Sequence, residues 1–145
     1  MKSSTLLKLF SFAFLLFPLV ADALEMPQPK AGLWEARAQT SANGAAPLVM
    51  TGKACSDPAV EKARKAANES FIKTCSKYDV HKEGGKWILN SVCKMSGSTI
   101  SAQVIYEPNG ENAYQMVTDQ SFNPPLAGRS HTRTVQDGKW LGPCK

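Results

Sequence analysis

Three kinds of hydrophobic patterning follow one another along the chain. Leu6 to Val20 is almost wholly apolar behind Lys2 and Lys8. From Leu33 to Thr40, Trp34, Ala36 and Ala38 alternate with Glu35, Arg37 and Gln39, the period of two that a half-buried strand requires. A turn from Ser41 to Pro47, containing Asn43-Gly44, leads to a second short strand at Leu48 to Ala54. The period then lengthens. Val60, Ala63, Ala67 and Phe71 recur at helical spacing, which predicts one amphipathic helix with Glu61, Lys62, Arg64, Lys65 and Glu69 facing water. Asp57 supplies a capping side chain, and Pro58 sits at the first helical position, where its missing N–H does no harm. From Cys75 the alternation returns, at Cys75 to Lys82, Lys86 to Lys94, Ser98 to Tyr106, Ala113 to Phe122, Gly128 to Val135 and briefly Lys139 to Leu141.

The joints between these strands carry turn chemistry: Glu83-Gly84-Gly85, Ser96-Gly97, Pro108-Asn109-Gly110, Asn123-Pro124-Pro125 and Asp137-Gly138. Links this short join antiparallel neighbours, because a parallel crossover needs about a dozen residues or more. The expected fold is mainly β (α+β), a curved antiparallel meander sheet of about seven to eight strands with one amphipathic helix packed on it. The apolar set Trp34, Tyr78, Val80, Ile88, Val92, Ile100, Val104, Tyr106, Tyr114 and Met116 is read first as core. A curved sheet would also let it line a pocket for a lipid-like ligand.

Length and composition narrow the picture. At 145 residues and 43% hydrophobic, the chain has room for one ordinary domain, is too short for a multidomain enzyme and too apolar for a disordered polymer. Its leading apolar run ends in Ala21-Asp22-Ala23, the small residues a signal peptidase reads. The uninterrupted stretch from Leu9 to Ala21 is about 13 residues, short of the roughly 18 to 20 that span a bilayer. Residues 1–23 therefore read as a signal peptide, 24–31 as an extended, proline-rich lead-in and 32–145 as a single disulfide-bonded β-rich domain. The mature chain is expected to be soluble and periplasmic or secreted, with no transmembrane anchor after processing. The net charge is +5, with the cations spread among acids, and no nucleic-acid partner is expected.

Four cysteines, Cys55, Cys75, Cys93 and Cys144, are an even count for an oxidising compartment and imply two disulfides. None forms a Cys-x-x-Cys pair, so neither a metal site, a redox centre nor a cofactor is assigned. If Glu83-Gly84-Gly85 is a three-residue hairpin loop, Lys82 pairs with Lys86 and Cys75 falls opposite Cys93. Cys55 is then left for Cys144.

Gly32-Leu33-Trp34-Glu35, Cys55-Ser56-Asp57-Pro58, Cys75-Ser76-Lys77-Tyr78-Asp79-Val80, Ser91-Val92-Cys93-Lys94-Met95-Ser96-Gly97 and Lys139-Trp140-Leu141-Gly142-Pro143-Cys144 occur in this order. Together they resemble the exported bacterial family known as domain of unknown function 3617. The resemblance implies a small periplasmic or secreted bacterial protein with four cysteines, and it carries no catalytic residues over.

Catalytic patterns are weak on their own terms. Ser70-Phe71-Ile72-Lys73 and Ser41-Ala42-Asn43 match fragments of acyl-transferase motifs in the wrong chain order, and Ser91 to Lys94 repeats the first inside a strand. His81 and His131 have no acid at a recognisable catalytic spacing. Arg129, His131 and Arg133 alternate along one strand, so their side chains line one face and could receive a phosphate or carboxylate; such a row also serves to guard an edge strand. The expected function is a non-enzymatic envelope binding or interaction module for an apolar or anionic envelope ligand. The alternative is a small periplasmic hydrolase with no recognisable motif. The sequence does not specify an oligomeric state.

Overall fold

The computed structural model describes residues 24–145, so the signal peptide read at 1–23 lies outside the described residues. Seven strands form one antiparallel sheet: β1 (Gly32–Ala42), β2 (Leu48–Ser56), β3 (Cys75–Glu83), β4 (Lys86–Met95), β5 (Ser98–Pro108), β6 (Ala113–Leu126) and β7 (Arg129–Gly142). One helix, α1 (Pro58–Ile72), joins β2 to β3. Among the described residues the fold is mainly β with a single helix, as the alternation requires.

The strand order is β2-β1-β7-β6-β5-β4-β3. A simple meander would leave β2 beside β3. Instead β1 pairs along almost its whole length with β7, from Leu33 opposite Gly142 to Ala42 opposite Thr132. This moves the β1–β2 hairpin to the far side and makes β2 and β3 the two edges. The helix therefore travels between edges. Its 15 residues are about 22 Å long, shorter than the distance of about 29 Å across six strand spacings. It enters beside Ser56, which is opposite Gly32, and leaves at Cys75, which is opposite Cys93. These points lie at opposite ends of the strands, so α1 runs diagonally.

The expected reversals at Asn123-Pro124-Pro125 and Asp137-Gly138 are corrected by the structure. β6 continues through both prolines to Leu126, and the chain turns at Ala127 and Gly128, which hold φ of +50° and +75°. The prolines fall where pairing with β7 is interrupted, between Ser121 and Leu126, the kind of position that tolerates a residue without an N–H. β7 is likewise one strand. Gly138 lies directly opposite Tyr114, and a Cβ at that position would collide with the Tyr114 ring; the glycine admits an aromatic ring and does not turn the chain.

A third correction concerns the β3–β4 register. Glu83 pairs with Lys86, so the loop is the two residues Gly84-Gly85, with φ of +54° and +81°, the geometry of a two-residue hairpin turn. That register alone would put Cys75 out of step with Cys93. An irregularity between Cys75 and Lys77 absorbs the difference, and Cys75 does face Cys93. The structure joins Cys75 to Cys93 and Cys55 to Cys144.

Asn43, at the tip of the β1–β2 hairpin with φ +50°, ties that tip to the β6–β7 turn. Its Oδ1 accepts from the Ser130 and His131 backbone N–H groups (2.9 and 3.2 Å), and its Nδ2 donates to the Gly128 carbonyl (3.0 Å). Asn43→Ala should lower stability by about 1 to 2 kcal/mol, because the bonds are lost while alanine is still held at positive φ. A denaturant midpoint unchanged from wild type would show the clasp to be dispensable.

The buried core is thin. Among the described residues, Trp34, Cys93 and Ile100 are the buried hydrophobic residues, and α1 has no buried residue. The expected inward stripe is largely unburied: Val60, Ala63 and Ala67 are exposed, and Phe71 is half-buried. Helical periodicity marks a stripe of small apolar residues, but Ala side chains offer little area to bury. What fixes the helix is covalent, since a disulfide stands just before it at Cys55 and another just after it at Cys75.

Candidate ligand-binding cleft

Alternation and register assemble one face of the sheet from residues far apart in sequence. Leu89 lies opposite Val104, Tyr106 opposite Met116, and Met116 opposite Gln136. These side chains, with Tyr78 and Tyr114, form the floor of a cleft of about 660 Å³ beneath α1. Arg64, Lys65, Asn68, Glu69 and Ile72 form its roof, and residues 24–29 of the lead-in complete the wall. Roughly 300 to 1,000 Å³ is the usual size of a small-molecule pocket.

The roof is set at its entrance by the cap foreseen from Asp57 and Pro58. The Asp57 carboxylate accepts from the Ala59 and Val60 N–H groups at 2.8 and 2.9 Å, and the Ser56 hydroxyl donates to Glu61 at 2.7 Å. The lead-in is held by tryptophans. Trp34 Nε1 donates to the Lys30 carbonyl at 2.7 Å, Trp140 Nε1 donates to the Ala31 carbonyl at 3.1 Å, and the Lys30 ammonium lies 3.8 Å from the centre of the Trp140 ring. Across the cleft, Glu25 pairs with Lys65 at 3.6 Å, and Gln28 accepts from Arg64, which also pairs with Glu61.

The floor carries a polar cluster within its apolar surroundings. Gln136 Nε2 donates to the Tyr114 hydroxyl at 2.7 Å. Tyr106 and Tyr114 have ring centres 5.2 Å apart, and Tyr114 stands 5.5 Å from Trp34. Burial first, and the neighbouring Tyr114 phenol second, push the Tyr106 pKa above that of an ordinary tyrosine. Tyr106 therefore remains a protonated donor at every physiological pH.

Arg129, His131 and Arg133 do not meet this cleft. They alternate along β7 on the opposite face of the sheet, out of register with Gln136. Asp119 on β6 lies between two of them: its Oδ1 is 2.9 Å from His131 Nε2, and its Oδ2 pairs with Arg133. That face is charge-matched elsewhere too, by Lys86 with Glu107 at 2.8 Å and Lys53 with Glu35 at 3.5 Å. Arg133 and Asp119 border a depression of about 150 Å³, and an anion entering it would meet Asp119 and Glu107 as well.

Most of the expected apolar set shares the cleft face, but Ile88 and Val92 do not. Leu89 occupies the inward position, because buried Cys93 fixes which alternate set of β4 points inward. Sequence reasoning missed Gln136, whose signal was a polar residue at an inward position of β7. It also missed Arg64, Lys65 and Glu69, which the helical pattern assigns to solvent, and Asn68, which it left unassigned.

The family described as "Protein of unknown function (DUF3617)" matches residues 29–144, and the chain belongs to it. No curated protein and no solved structure shows significant similarity to the chain.

Proposed function

We propose that this DUF3617 protein is an exported binding module that holds an apolar small molecule between α1 and the sheet, without turnover. The observation that carries this reading is the cleft itself: about 660 Å³ lined by Tyr78, Leu89, Val104, Tyr106, Tyr114 and Met116, beneath a helix that buries none of its own residues. Apolar side chains that would ordinarily pack against a helix are left available to a ligand, and covering them releases their hydration. The cross-links support an oxidising, extracytoplasmic location, since all four cysteines are paired. Among the described residues no helix is long and apolar enough to cross a membrane.

The neutral fluorophore N-phenyl-1-naphthylamine is expected to bind saturably, one per chain. Val104→Trp projects an indole into the cleft and should weaken that binding at least about tenfold, equivalent to about 1.4 kcal/mol, with little change in melting temperature. Arg129→Gln with Arg133→Gln on the other face should leave it unchanged, as exposed charges contribute little to folding or to a distant site. Absence of saturable binding, or full binding by the Val104→Trp variant, would refute the proposal.

A further inference from the structure

We infer that the cleft selects acyl compounds bearing a neutral carbonyl, with an ester as the favoured chemistry; this rests on reading the cleft as the binding site. The Tyr114 hydroxyl accepts its bond from Gln136 at 2.7 Å, which leaves its own proton available to donate. Tyr106 places a second phenol beside it, the ring centres 5.2 Å apart, and burial keeps that phenol protonated. Two donors in an apolar floor suit an acceptor oxygen that brings no donor of its own. The rest of such a molecule lies over Val104, Leu89 and Met116 and beneath Ile72, where the lining is apolar.

The charges around the cleft favour a neutral head over an ionised one. Lys65 is engaged with Glu25 at 3.6 Å, and Arg64 with Glu61 and Gln28, while Glu69 adds a further carboxylate to the roof. A carboxylate ligand would have to displace one of these acids and lose its hydration as well. An ester loses far less on leaving water, and its carbonyl recovers the loss from the phenols.

The test uses the oxidised chain beginning at Leu24 and measures displacement of N-phenyl-1-naphthylamine by dodecane, methyl laurate and laurate. Water-to-oil partitioning alone ranks dodecane first. Methyl laurate is expected to bind more tightly than dodecane by roughly three- to tenfold, the range of one net hydrogen bond. Tyr114→Phe and, separately, Tyr106→Phe should each reduce that advantage while leaving dodecane affinity within about twofold. Laurate binding more tightly than its ester would overturn the inference in favour of anion recognition by Arg64 and Lys65. Equal affinity for ester and alkane, or an ester preference that survives both substitutions, would overturn it too. Failure of the fluorophore itself to bind would instead overturn the underlying reading of the cleft.

Discussion

Replacing Cys55 and Cys144 together by alanine is expected to lower stability by about 4 to 5 kcal/mol, on the chain-entropy estimate for a loop this long. The bridge spans 89 residues, so cutting it frees most of the described chain in the unfolded state. The corresponding replacement of Cys75 and Cys93, which are 18 residues apart, should cost about 3 kcal/mol. Few native contacts stand in reserve, because the buried apolar residues are so few. Calorimetric melting should show the midpoint fall by about 15 to 25 °C for the long bridge, taking a few degrees per kcal/mol for a domain of this size. A fall of under about 5 °C would mean that the β1–β7 pairing holds the two ends of the chain together unaided. The local effect should precede global melting: without Cys55–Cys144 the entry to α1 loses its covalent tie to the end of β7, and affinity for N-phenyl-1-naphthylamine should drop at temperatures where the sheet is still intact by circular dichroism.

Trp34→Ala should destabilise by about 3 to 5 kcal/mol, the range for removing a buried large aromatic. Trp34 is 8% exposed, packs beside Tyr114 and donates its indole N–H to the Lys30 carbonyl. Its loss therefore opens the floor next to the Tyr106–Tyr114 pair and also releases the lead-in from the sheet. Trp34→Phe separates the two effects, since the ring is largely retained and the N–H is not. The Phe variant should keep most of the stability, about 1 kcal/mol below wild type, while proteolysis within residues 24–31 becomes faster. Equal stability losses for Ala and Phe would assign the role to the hydrogen bond alone.

The elements whose signals are local were legible in the sequence. Asp57-Pro58 caps α1 because both residues act on their own turn, and Gly84-Gly85 reverses the chain because its φ angles are intrinsic to the hairpin. What escaped depends on distant partners. Gly138 reads as a turn residue until Tyr114 is known to lie opposite it. Asp119 could be placed against Arg133 and His131 only with the β6–β7 register, which shifts between Ser121 and Leu126. The cleft followed in part from the alternation of Val104, Tyr106, Tyr114 and Met116. Its roof did not, since a helix fastened at both ends by disulfides need not turn its most hydrophobic stripe inward.

The pairing of the first strand with the last has a kinetic consequence. β3 to β7 form a run of neighbours joined by short links, so their contacts are local and can accumulate early. Leu33, by contrast, meets Gly142, a closure that spans nearly the whole described chain and waits for its final residues. A chain emerging N-terminus first would present the β1–β2 hairpin and α1 long before any surface existed to receive them, and Leu48, Val49 and Met50 on the edge strand are exposed even in the finished fold. Pulsed hydrogen exchange should accordingly protect β4, β5 and β6 before β1, with the edge hairpin the last segment to be secured and the region most exposed to intermolecular pairing during folding.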